Sequence, residues 1–192
     1  MRGESGAEGR RVMAPGRAAV EHPPTALADV AALDLRVLFV GINPSTHSAR
    51  AGHHFATRGN SLWRLLHASG LTPVLLRPEE DRRLLEFRLG MTSGCPRPTG
   101  AASELSRAEQ VEGARLLLHK LERLRPRFVA LLGLTLYRVV VPGGDEPGPG
   151  LKAAPLAGAR LFVLPNPSGR NRAYPGFEKK LAWFRRLAEL VD

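Results

Sequence analysis

Three short apolar runs punctuate the chain: Val37-Leu38-Phe39-Val40, Phe128-Val129-Ala130-Leu131-Leu132, and Leu161-Phe162-Val163-Leu164 behind Arg160. Each is too short for a buried helix, is built of aliphatic and aromatic residues, and stops at a glycine or a proline. Each therefore reads as a strand covered on both faces. Between the runs the apolar spacing turns helical. Asn60 can cap a helix that carries Leu62, Trp63, Leu65 and Leu66 and ends at Gly70. Pro78 opens a second helix to about Leu89, with Glu79, Glu80 and Asp81 at its positive end and Leu84, Leu85 and Leu89 inward. Ser106 and Glu109 form a capping box for a third, to about Leu124, with Val111, Ala114, Leu117, Leu118 and Leu121 inward and Pro126 as its stop. Leu134 to Val140 turns back as a short helix. Pro175 to Val191 is amphipathic, with Phe177, Leu181, Phe184, Leu187 and Leu190 on one face and Lys179, Lys180, Arg185 and Arg186 mostly on the other. Gly90 to Thr99 and Gly143 to Gly150 read as loops. Strands alternating with helices predict an α/β fold, a central parallel sheet flanked by helices on both faces.

In such a fold functional groups gather past the carboxyl ends of the strands. Gly41-Ile42-Asn43-Pro44-Ser45 follows the first strand and leads into a basic loop, while Pro165 to Tyr174 follows the third. Pro44 biases Asn43 away from helical torsions and holds its amide on a stiff turn. Taken alone, an Asn-Pro pair is more often a turn asparagine satisfying its own backbone.

Composition narrows the partners. A chain of 192 residues, 43% of them apolar, suits one domain, and no repeat period argues for a solenoid. Residues 1–30 read as a disordered basic arm and 31–192 as the domain. The formal charge of +10 and a pI near 11.1 favour a polyanion. The acids are also unevenly spread, with none from Leu35 to Pro78, from Phe87 to Ser103, or from Pro147 to Phe177. Both strand-end loops fall in those gaps, so a phosphate backbone could approach them without like-charge repulsion. The single cysteine, Cys95, excludes an internal disulfide and fits a reducing cytoplasm. No Cys and His cluster has zinc-ligand spacing, and no apolar stretch is long enough to span a bilayer or serve as a signal peptide. A soluble, cytoplasmic monomer without metal, cofactor or membrane partner is expected.

Two blocks carry a family resemblance. Gly41-Ile42-Asn43-Pro44, Gly52-His53-His54-Phe55, Gly59-Asn60 and Trp63 resemble the first motif of the mismatch-specific uracil-DNA glycosylases and their thymine-DNA glycosylase branch. Leu164-Pro165-Asn166-Pro167-Ser168-Gly169-Arg170 resembles the second. The likeness spans roughly Asp34 to Asp192, and a paired match is more specific than either block alone.

The resemblance implies a chemistry. Asn43 would position the hydrolytic water, Phe55 would stack on an extruded base, and the backbone N–H groups of Ile42 and Phe55, beside Gly41, would hold the uracil edge. The Asn166 to Arg172 loop would enter the duplex. Within it Ser168 would take a phosphate oxygen, Gly169 would allow close approach, Arg170 would be the wedge, and Arg172 a second contact to phosphate or the opposing strand. An arginine at the wedge resembles the thymine-DNA glycosylase branch, whereas bacterial relatives often carry leucine there. Ser45 stands where the pattern has glycine, and Ser93 where it has an amide or longer polar residue. Both, like His54, are minor contacts, and His53 and His54 read from the residues alone as solvated. Neither motif loop offers a lysine for a Schiff base, so a lyase step is not expected. The implied partner is double-stranded DNA with G:U or G:T mispairs, with single-stranded DNA as a further substrate form. The competing reading is a non-catalytic duplex-DNA-binding protein on a degenerate glycosylase fold. A nucleotide-binding α/β enzyme would need a glycine-rich phosphate loop with lysine, which the chain lacks.

Overall fold

A computed structural model describes residues 26–191. The first 25 positions of the expected arm lie outside the described residues. Val30, placed in the arm by the sequence, exchanges two backbone hydrogen bonds with Met91, at 2.9 and 2.7 Å.

The three apolar runs are β1 (Val37–Gly41), β3 (Phe128–Leu132) and β5 (Arg160–Leu164), with all of β1 and β3 buried. Together with β2 (Leu89–Ser93) and β4 (Gly150–Leu151) they make a five-stranded sheet in the order β2-β1-β3-β5-β4. Every pairing is parallel except β4 on β5. Side chains alternate across the sheet, and this sorts the core into two halves. Val37, Phe39, Met91, Phe128, Ala130 and Phe162 face α2 (Leu62–Ala68) and α5 (Glu178–Val191). Leu38, Val40, Val129, Leu131, Leu161 and Val163 face α3 (Arg107–Leu124) and α4 (Leu134–Val140). Both faces are therefore covered by helices, as the alternating pattern predicts.

Several sequence expectations need correction. Gly90 to Ser93 is not loop but the body of β2, and Leu89 begins that strand rather than ending a helix. The preceding segment, Pro78–Phe87, is a 3₁₀ helix with Leu84 buried and Leu85 only partly so. A Cβ at Gly90 would lie 2.6 Å from the Val30 carbonyl oxygen and 2.5 Å from Leu35 Cδ1, so glycine is needed where the entering chain crosses the strand. The predicted loop from Gly143 ends in β4. Lys152, itself buried, ties this excursion down by donating to the Glu146, Pro147 and Gly148 carbonyls. On α3, Ser106 and Glu109 form the predicted capping box, yet Val111 is 59% exposed. The inward position is Gly113 instead, because α3 lies so close to the end of β2 that a Cβ there would sit 2.5 Å from the Gly94 carbonyl oxygen. On α5, Lys180 is buried at 4% exposure rather than on the solvent face.

Candidate active site

In this strand order the connections from β1 and β3 leave in opposite directions, so a crevice opens between their carboxyl ends. A cavity of about 450 Å³ occupies it. Gly41, Ile42 and Asn43 reach it from β1, Ser93 from β2, Leu132 from β3, and Asn166, Ser168, Gly169 and Arg170 from the segment after β5. The two motifs, distant in sequence, thus border one hollow of a size suited to a nucleotide. Ser45, His54 and Phe55 also line it, whereas Arg172 is exposed on the same loop and does not. Among the described residues no carboxylate and no lysine lines the cavity; its charged side chains are Arg58 and Arg170.

Asn43 is not bonded to its own turn. Its amide nitrogen donates to the Arg97 carbonyl at 2.9 Å and to Thr99 Oγ1 at 2.7 Å. A carbonyl can only accept, so the orientation of the amide is fixed. Both amide hydrogens are used, and the carbonyl oxygen is the functional group that remains. Thr99 in turn donates to the Ala101 carbonyl at 2.8 Å, which leaves its oxygen as the acceptor for Asn43. The turn is pinned from outside as well. Thr46 N–H donates to the Thr99 carbonyl, and Thr99 N–H to the Pro44 carbonyl, both at 3.1 Å. Arg97, which supplies the other carbonyl, is paired with Glu109, whose carboxyl is held down to about 2 by that guanidinium and by the Ser106 backbone and hydroxyl.

The expected basic loop after Ser45 contains a short helix, α1 (Thr46–Ala51), with Ser45 as its N-cap. Ser45 Oγ accepts the Ser48 N–H at 3.0 Å and lies 2.8 Å from Thr57 Oγ1. Ser48, buried, accepts the Ala56 N–H at 3.1 Å. These hydroxyls bind α1 to the segment that carries Phe55. Phe55 sits at φ 53°, an uncommon backbone for a bulky residue, and the surrounding bonds maintain it. Its ring rests against β1: a Cβ on Gly41 would be 3.0 Å from Phe55 Cζ. Glycine at position 41 is what lets an aromatic face flank the cavity.

The histidines are not solvated as the residues alone suggest. His54 is 2% exposed, and its Nε2 lies 3.0 Å from the Ala28 carbonyl, so that nitrogen carries the proton. Burial pushes its pKa below the ordinary value, against the opposing pull of the Ala28 carbonyl and of Asp81 and Asp29. His53 is half-buried, with Nδ1 3.4 Å from Asp81 Oδ2. Among the described residues no three His, Cys, Asp or Glu side chains group as metal ligands, and no helix is long and apolar enough to cross a membrane.

The loop after β5 is stitched internally. Asn166 Oδ1 accepts the Ser168 N–H at 2.9 Å, Ser168 Oγ accepts the Arg170 N–H at 3.2 Å, and Asn171 donates to the Asn166 carbonyl at 3.0 Å. It is also bonded to its neighbours, through Ser61 to Pro167 and Lys180 to Ser168. A Cβ on Gly169 would stand 3.5 Å from the Gly59 carbonyl, so the two motif loops meet here. Gly169 and Arg170 are exposed at the rim. The sequence pattern missed Thr57 and Thr99. Thr99 ends the stretch read as a loop, and nothing in its spacing marks its contact with Asn43.

A mostly parallel α/β sheet holds at its strand ends a fixed neutral amide, an aromatic face and an arginine-tipped loop, an arrangement that can seat a flat group against Phe55 and an anion near Arg170. The chain belongs to the uracil DNA glycosylase superfamily, whose family model matches residues 28–190. The fold is similar to that of a protein from Methanosarcina acetivorans, provisionally named a uracil DNA glycosylase and solved by solution NMR. The TM-score is 0.56 at 22% identity, over 86% of this chain and 98% of that one.

Proposed function

We propose that this protein is a monofunctional DNA glycosylase that hydrolyses the N-glycosidic bond of uracil mispaired with guanine, with thymine and modified pyrimidines as further substrates, in base excision repair. One observation supports this above all: the locked Asn43 amide and Arg170 border the same cavity, which no carboxylate lines among the described residues.

The nucleotide is extruded from the duplex into the cavity, with Phe55 against its base and Arg170 at the gap it leaves. The bond between the sugar C1′ and the base nitrogen breaks with its electron pair going to the base. The base anion is stabilised by the N–H groups of Ile42 and Phe55, a preorganised pair of donors at the point where charge develops. Asn43 Oδ1 holds a water over C1′. An amide is too weak a base to ionise that water early, and among the described residues no carboxylate lines the cavity to do so. Attack therefore follows departure of the base; as the new C–O bond forms, the water gives up a proton to solvent, and the departed base anion takes one up, so that neutral uracil and an abasic sugar hydroxyl result. Among the described residues no lysine lines the cavity to form a Schiff base, so the product on this reading is an intact abasic strand.

Incubating a G:U duplex with the protein and then with alkali tests the reading. Free uracil and alkali-dependent strand breaks are expected from the wild type, and nearly none from Asn43→Ala. Salt-sensitive duplex binding with no base release would point instead to a binding protein on this fold.

A further inference from the structure

We propose that Lys180 is the positioning residue of the duplex-entering loop, fixing the backbone from which Arg170 projects; this rests on the glycosylase reading above. Lys180 sits in the first turn of α5, is 4% exposed, and donates from Nζ to the Ser168 carbonyl at 2.8 Å. The preceding carbonyl, that of Pro167, takes the hydroxyl of Ser61 at 2.8 Å and its N–H at 3.2 Å. Two consecutive carbonyls of the loop are thus held by two different elements, the start of α2 and the start of α5.

The geometry has a directional consequence. With the Pro167 and Ser168 carbonyls drawn toward the protein, the internal bonds from Ser168 N–H to Asn166 and from Arg170 N–H to Ser168 Oγ close the turn on its other side. Gly169 and Arg170 are left exposed at its tip. A tip that must enter a base stack has to resist being pushed back, because unstacking a duplex step costs a few kcal/mol. A carbonyl bonded to a buried ammonium gives stronger resistance than a neutral bond, since charge-assisted hydrogen bonds are about twice as strong. Burying a cation is costly, and the burial also lowers the Lys180 pKa. A residue serving packing alone would not need the charge. Lys180 does not line the cavity, so its influence runs through the loop and not through the reacting atoms.

The test separates loop support from general structure. Single-turnover uracil release is measured on a G:U duplex and on the same uracil in a single strand, together with affinity for a duplex carrying a tetrahydrofuran abasic analogue opposite guanine. Lys180→Met keeps the stem and removes the charged donor. It is expected to lower the duplex rate and the abasic-duplex affinity about tenfold, the size of a lost hydrogen bond to a charged group, while the single-strand rate stays within about twofold. Ser61→Ala, which removes only the companion hydroxyl, is expected to move the same quantities in the same direction by a smaller factor. It serves as the deciding variant if Lys180→Met does not fold. Equal losses on duplex and single strand, or an unchanged duplex rate and affinity, overturn the inference. If the wild type acts on duplex alone, the abasic-duplex affinity decides. If the wild type releases uracil from neither substrate, it is the glycosylase reading that has failed.

Discussion

Ser61 gives both its backbone N–H and its hydroxyl to one oxygen, the carbonyl of Pro167, across 106 positions of chain. That contact joins the helix behind the first motif to the loop of the second. It helps to bring the Asn43 turn and Arg170 to a single cavity.

Arg170 is exposed at the loop tip, and on the glycosylase reading it fills the space of the departed base. Arg170→Ala is expected to lower mispair excision roughly tenfold, the order expected when part of an unstacking cost goes uncompensated, and to narrow the preference for guanine opposite the lesion. Single-strand activity should change less. Excision rates on G:U, A:U and single-stranded uracil check this, and an unchanged mispair preference would remove Arg170 from the wedge position.

Gly41→Ala places a methyl 3.0 Å from the Phe55 ring end, so the ring must shift by a few tenths of an ångström. The fold should survive, because the contact is with the end of one side chain. Excision should slow by about tenfold, since small misplacements at a reacting centre are costly in rate. Wild-type rates with an altered melting temperature would show that the Phe55 position is unimportant to chemistry.

The strands were legible where their residues declare themselves. The runs from Val37, Phe128 and Leu161 are buried and fall in strands, the last behind the exposed Arg160. β2 was not, because its sequence Leu-Gly-Met-Thr-Ser owes its conformation to neighbours: Gly90 yields to the crossing Val30, and Thr92 donates to Asp29 while accepting from Lys120. The same holds for Lys180, which by helical spacing belongs with solvent and is buried because a carbonyl from another loop lies above it. At the site, Asn43, Phe55 and Arg170 are singled out by the resemblance of the two blocks and not by their residue types alone, and all three border one cavity. Thr99 is not singled out, since its importance lies in a hydrogen bond 56 positions back.

Gly90→Ala follows from the crowding in β2. The new methyl would meet a backbone oxygen at 2.6 Å, which cannot rotate away. A loss of about 1–3 kcal/mol of stability is expected from overpacking. Denaturant unfolding of both proteins measures it, and an unchanged midpoint would mean that Val30 moves freely off the strand.

His54 gives the fold a pH dependence with a definite sign. Burial lowers its folded-state pKa below the unfolded value of 6.5, so between those two values the unfolded chain binds the extra proton. Its effect on stability is therefore flat above about pH 6.5 and becomes a loss as the pH falls from there to the lowered pKa. His54→Gln should reduce that loss in urea unfolding between about pH 8 and pH 5. Parallel curves for the two proteins would show that His54 is not the group responsible.

The most direct test of the central claim separates chemistry from binding at Asn43. Single-turnover uracil release from a G:U duplex by Asn43→Ala is compared with the affinity of the same variant for a duplex carrying a tetrahydrofuran opposite guanine. If the locked amide holds the attacking water, release falls at least about a hundredfold while affinity stays near that of the wild type. Release at the wild-type rate, or a loss explained entirely by weaker binding, would contradict the account.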